Sequence, residues 1–226
     1  MIDLTIVDDV SVVTLRAGEN RFNLPFVEAL ADTLRDAAER EKPLVLTGEG
    51  KFFSNGLDLD WLRGEGQERA GEMFPALYRL LAQVVTFPGV TVAAINGHAF
   101  GAGLILSLAA DYRVMRADRG YFCFPEVDLG MAMSDEFSAI IQAKLPADPL
   151  LHALITGHRY SGEEAKAAGL VHAAASEDAL VETALTIARP LTAKSGETIG
   201  RIKAKHFEAL VATLTGGSGA APQAGS

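Results

Sequence analysis

Up to about Ser134 the chain alternates short apolar runs with longer amphipathic ones, and this alternation restricts it to the α/β class. Leu4 to Arg16 alternates apolar and polar residues around Asp8-Asp9, which predicts a hairpin turning at the acidic pair. Leu24 to Arg40 puts Phe26, Leu30, Leu34 and Ala38 on one face of a helix. Pro43 to Gly48 is a short buried strand, and a polar loop leads from it to Gly56 and a short helix near Trp61. Glu72 to Val85 is helical, with Phe74, Leu77, Leu80 and Leu81 inward. Val90 to Asn96 is a second buried strand and Gly101 to Ala110 a small-residue helix. Tyr112 to Met115 and Tyr121 to Phe124 are strands. Beyond Ser134 the pattern is helical except at Leu170-Val171-His172. No repeat or linker divides the chain. One domain is expected over 1–215, changing near 145 to a helical part, with a flexible tail of small residues over 216–226.

Bulk properties exclude several classes. The 226 residues are 49% hydrophobic and 22% charged, as in a globular protein with a substantial core. A net charge of −9 disfavours nucleic acid and anionic membranes as partners. The lone cysteine, Cys123, rules out an internal disulfide and suggests a reducing compartment. No apolar stretch reaches the ~18 residues of a membrane span. Met1 to Thr5 lacks a basic leader, so no secretory signal is expected. Together with richness in alanine and arginine, this points to a bacterial cytoplasm. The five histidines show no metal-ligand spacing, so no metal is expected.

Three segments carry candidate chemistry. Glu126 follows the aromatic run Tyr121-Phe122-Cys123-Phe124-Pro125. A carboxyl group there should lean into a dry pocket, where desolvation raises its pKa and suits it to exchange protons. Gly101-Ala102-Gly103 opens a helix directly after an apolar strand, and helix N-termini offer unpaired N–H groups to an oxygen that becomes anionic. No Lys-Ser/Thr follows these glycines, and the third glycine of a dinucleotide fingerprint is missing. Ser54-Asn55-Gly56 is a turn able to aim the Leu57 N–H outward. Each motif also has a structural reading: helix-on-strand packing, a surface turn, and, for Asp58, a helix cap.

Taken together, these segments resemble the crotonase family, the enoyl-CoA hydratases and isomerases. The resemblance rests on Phe52 to Leu59, Ala93 to Gly103, Ala110 to Val114, Phe124 to Gly130 and Thr156 to Val171, in matching order and spacing from about Leu4 to His206. It implies a spiral of ββα units with a helical C-terminal region that assembles trimers or pairs of trimers. It implies an acyl-CoA substrate, with coenzyme A entering as part of that substrate and no separate cofactor. By the same resemblance Leu57 and Ala102 form the oxyanion hole, and Ser54, Asn55, Gly56, Asp58, Leu59, Gly101, Leu129 and Met131 bind substrate.

Hydratases of this family use a second carboxylate early in the helix after the glycine turn. That position is Ile105 here, so the chain is most similar to the single-glutamate Δ3,Δ2-enoyl-CoA isomerases. The family's glycine-rich turn after the glutamate is replaced by Met131 to Phe137, which leaves Asp135 and Glu136 as rival acids. A hydratase with a displaced acid, another acyl-CoA lyase or hydrolase, and a non-catalytic acyl-CoA-binding subunit are the competing functions. His98 reads as a packed or surface histidine, Asp111 as fixing a helix end, and Cys123 as a buried inert thiol. Arg21, Lys194, Lys203 and Lys205 read as solvated charges, with CoA phosphates as the other possibility. Lys203 to Leu210 is expected to form a helix that completes an acyl pocket of its own or a neighbouring subunit.

Overall fold

The computed structural model describes residues 1–216. Its first hairpin joins β1 (Ile2–Val7) to β2 (Val10–Leu15) in antiparallel register. Asp8 and Asp9 turn the chain with φ of 50° and 63°, the paired positive values of a tight hairpin turn. Helix α1 (Leu24–Ala38) completes this first ββα unit. Its cap is Asn23, whose side chain accepts from the Phe26 N–H at 3.0 Å.

Three further units follow the same plan. β3 (Leu44–Gly48) and β4 (Phe52–Ser54) lead through the short α2 (Leu59–Arg63) to α3 (Ala70–Val85). β5 (Thr91–Ile95) and β6 (His98–Phe100) lead to α4 (Ala102–Ala109). β7 (Tyr112–Arg116) and β8 (Phe122–Cys123) lead to α5 (Asp135–Lys144). After these come α6 (Ala147–Thr156), α7 (Gly162–Ala167), β9 (Ala173–Ala175), α8 (Glu177–Ala188), α9 (Gly196–His206) and α10 (Glu208–Gly216).

In each of the last three units the first strand joins one sheet and the second strand joins another. The large sheet runs β1-β2-β3-β5-β7-β9, parallel after the opening hairpin. The small sheet runs β4-β6-β8 and is also parallel. Alternate residues of a strand serve opposite faces of the large sheet. Ala93 and Ile95 join the core beneath α1, α3 and α4. Val92 and Ala94 face Leu180, Ala184 and Ala188 of α8. Covering both faces buries every residue of β5, which is why that strand reads as one apolar run.

Several expectations need correction. The polar loop before Gly56 contains β4, and the segment before Gly101 contains β6. The late strand lies at Ala173–Ala175, after Leu170-Val171-His172. Leu170 and Val171 instead close the turn after α7, where both N–H groups donate to Ala165 O. The helix expected over Lys203 to Leu210 breaks at Phe207, whose ring lies 4.2 Å from the Lys144 ammonium. Gly216 closes α10, and the rest of the expected tail, 217–226, lies outside the described residues. Among the described residues no helix is long and apolar enough to cross a membrane.

Candidate active site

Two turns far apart in sequence meet where the small sheet hands the chain to α4. Gly56 lies in the left-handed region, with φ of 81°. A β-carbon on it would stand 2.9 Å from Phe100 O and 3.5 Å from Ala102 N, so only glycine lets the first turn rest on the second. Phe22 fixes this turn by donating to Gly56 O at 2.8 Å and accepting from Asp58 N at 2.9 Å. Extended backbone alternates the direction of its N–H groups, so the Leu57 N–H points away from Phe22. Ala102 begins α4, where N–H groups have no partner within the helix. Among the described residues nothing accepts from the Leu57 N–H or the Ala102 N–H.

Glu126 completes the pocket. Gly101, with φ of 48°, brings its backbone against the carboxyl group. Oε2 of Glu126 is buried and has no hydrogen-bond partner among the described residues. Desolvation pushes the pKa of Glu126 up to about 7, opposed only by a backbone hydrogen bond. Its own carbonyl accepts from Leu129 N and Met131 N, which curls the following turn around the site. The remaining walls are largely apolar, formed by Leu59, Phe100, Pro125, Met133 and Phe137 together with Leu129 and Met131.

Asn55, Gly56, Leu57, Leu59, Gly101, Ala102, Glu126, Leu129 and Met131 therefore line one pocket. Ser54 and Asp58, also expected to bind substrate, are not part of that lining and shape the turn beside it. Ser54 is fully buried, donating to Asn20 O at 2.7 Å and accepting from Gly56 N at 3.2 Å. Asp58 caps α2 by accepting from Trp61 N at 3.1 Å, and it accepts from Asn23 Nδ2 at 3.1 Å.

The rival acids lie elsewhere. Ile105 is fully buried in the core and contributes nothing to the pocket wall. Asp135 is exposed, while Glu136 is buried next to Tyr78. His98 packs among Phe52, Phe100 and Tyr121, with ring centroids 5.0 to 5.4 Å away. Cys123 is buried, and desolvation raises its thiol pKa to about 11.

Lys203 corrects the reading of a solvated or phosphate-binding charge. It is buried, donates to Gly89 O and pairs with Asp111 at 2.9 Å. Asp111 also accepts from the backbone and hydroxyl of Thr91, so it ties α9 to the large sheet instead of fixing a helix end. Arg21 pairs with Glu19 and Asp60, and Lys205 with Glu208.

Sequence reasoning missed Phe100 and Phe137 in the pocket and Asn20 beneath it. Phe137 had a local signal: it sits at the third helical position after Ser134, whose hydroxyl accepts its N–H. Asn20 had none. Its buried amide donates to Phe53 O at 3.1 Å and bridges segments remote in sequence.

Residues 5–219 match the family model described as enoyl-CoA hydratase/isomerase. The chain is 36% identical over 220 residues to the peroxisomal enoyl-CoA delta isomerase 2 of Arabidopsis thaliana, covering 91% of this chain and 92% of that protein. It is 35% identical over 214 residues to enoyl-CoA delta isomerase 3 of the same plant, covering 89% and 90%. Its fold superposes with a TM-score of 0.89 on an enoyl-CoA hydratase/isomerase family protein from Pseudomonas syringae, at 25% identity over 96% of this chain and 94% of that one.

Proposed function

We propose, from the premise that the chain belongs to the enoyl-CoA hydratase/isomerase family, the crotonase group of enzymes, that it is a Δ3,Δ2-enoyl-CoA isomerase working through one glutamate. One observation carries this reading: among the described residues a single carboxyl group, Glu126, lines a pocket that also presents two unpartnered backbone N–H groups. Hydration needs an acid and a base around one water molecule. A double-bond shift needs one group that takes a proton and gives it back.

The thioester oxygen of a 3-enoyl-CoA accepts from Leu57 N–H and Ala102 N–H. The Glu126 carboxylate removes a proton from C2, and the electron pair delocalises into a dienolate with its charge on that oxygen. Preorganised donors hold this charge; losing one such donor costs typically ~3 kcal/mol. Glu126 then returns the proton at C4, giving trans-2-enoyl-CoA with no net change in atoms. A pKa near 7 leaves both forms of the group accessible at neutral pH. The apolar walls keep water away from the dienolate.

The reading requires no cofactor beyond the coenzyme A of the substrate. A homotrimer or dimer of trimers in a bacterial cytoplasm remains part of it. Leu151 and Ile155, both 61% exposed and one turn apart on α6, suit a subunit contact.

The test is conversion of trans-3-hexenoyl-CoA, followed by growth of the conjugated 2-enoyl absorbance, with 2-enoyl-CoA as a control for hydration. Growth of the band with a stable control is expected. Loss of the control band would favour a hydratase. Glu126→Gln is expected to retain acyl-CoA affinity and lose turnover; unchanged turnover removes Glu126 from the mechanism.

A further inference from the structure

The apolar end of the pocket has one closed side and one open side. Leu129, on the open side, is 55% exposed, whereas Phe137 is 2% exposed. The Phe137 ring meets Tyr78 of α3 edge-on, with centroids 5.6 Å apart and planes at 85°. The Tyr78 hydroxyl is 3.1 Å from Ser134 Oγ, and that oxygen accepts from the Phe137 N–H at 3.2 Å. Ring, backbone and backing residue thus form a closed loop of contacts. Behind them Phe74 lies 6.3 Å from Tyr78, ring centre to ring centre, and is itself buried. An acyl chain running from Glu126 toward α5 meets close-packed core that has no space to yield.

We propose, resting on the isomerase reading above, that Phe137, clamped by Tyr78, is the stop that ends methylene burial in the acyl pocket, so that carbons beyond the hexenoyl length add nothing to the enzyme's preference for a 3-enoyl thioester. The thioester carbon sits at the two N–H groups and C2 to C4 lie over Glu126. Only the carbons beyond C4 therefore reach the ring. Later methylenes turn out over Leu129 into water. Each methylene buried is about a fourfold gain, and each one left in water adds nothing.

The experiment compares trans-3-hexenoyl-, octenoyl- and dodecenoyl-CoA with the wild-type protein and with Phe137→Leu and Phe137→Ala. Circular dichroism checks that each variant is folded, and Phe137→Leu guards against failure of the more disruptive change. The wild type is expected to show kcat/KM that is level from hexenoyl upward. The variants should gain for octenoyl relative to hexenoyl, by up to about fifteenfold for the two added methylenes. A wild-type profile that climbs through dodecenoyl overturns the proposal, as do folded variants whose profiles superimpose on the wild type. Absence of turnover with every 3-enoyl thioester would sink the isomerase reading alone. Calorimetric Kd values for hexanoyl- to dodecanoyl-CoA then decide the stop by the same level or climbing pattern.

Discussion

A β-carbon on Gly101 would stand 3.3 Å from Oε1 of Glu126. The turn that offers the Ala102 N–H is therefore packed directly against the only carboxyl group that lines the pocket among the described residues. Donor and acid share one small apolar space, and the properties of each depend on the other staying in place.

The first consequence is a pH dependence. Burial raises the Glu126 pKa from 4.5 to about 7, so folding favours the protonated acid. The stability this contributes is fully present below pH 4.5 and is lost as pH rises through about 7. Glu126→Gln removes the titration. Its melting temperature should exceed that of the wild type above pH 7 and converge with it at acid pH. Wild-type kcat/KM should rise through about pH 7 as the carboxylate forms, and a profile flat from pH 5 to 9 would refute this.

Glu136 gives a second test. It is buried beside Tyr78 but absent from the pocket wall. Losing a general acid or base costs about a hundredfold or more, so Glu136→Gln should change turnover by less than about threefold. A Glu136→Gln protein that binds acyl-CoA normally but turns over no substrate would mean that two acids act.

Gly103 tests how the two turns are held together. A β-carbon there would lie 2.5 Å from Ser54 Cβ and Oγ and 2.6 Å from Ser54 O, beneath the turn that carries Leu57. Gly103→Ala should cost about 1–3 kcal/mol by overpacking. It should also lower kcat more than it raises KM, because it separates donors that act on the developing charge. Urea denaturation and steady-state kinetics on one preparation check both.

The pair Lys203–Asp111 should matter for stability only. The Lys203 ammonium is buried, and Asp111→Asn leaves it without a carboxylate. Breaking a buried pair from one side typically costs about 3–5 kcal/mol. The urea midpoint should fall accordingly while the KM for acyl-CoA stays unchanged; a raised KM would restore Lys203 as a ligand for CoA phosphate.

Cys123 should be silent in the folded protein. Its thiol is pushed up to about 11, chiefly by desolvation, and it lies 3.3 Å from Gly157 O. A chromogenic disulfide reagent at pH 8 should find no thiol until denaturant is added. Rapid native labelling would contradict the burial.

Much of the site was legible because its signals are local. A carboxylate after an aromatic run and a proline, a glycine turn at a helix start and a second glycine turn after Ser54-Asn55 are each visible within ten residues. Two strands of the small sheet were not legible. β4 and β6 have three residues each, too short to show any period, and they exist only by pairing within that sheet, whereas β8 falls inside the strand expected over Tyr121 to Phe124. Phe137 was missed because the Ser134 cap marks its place in the first turn of α5 but not whether its ring faces a pocket or the core.

The sequence by itself determined where the longer strands and most helices fall and which chemical groups stand at their ends, since side-chain periodicity and turn stereochemistry are short-range properties of the chain. Only the tertiary structure decided that Gly56 rests on Ala102, that Phe137 closes the pocket and that Lys203 is a buried strut. Those outcomes depend on which distant segments share a volume, and desolvation and close packing are set by everything that fills that volume.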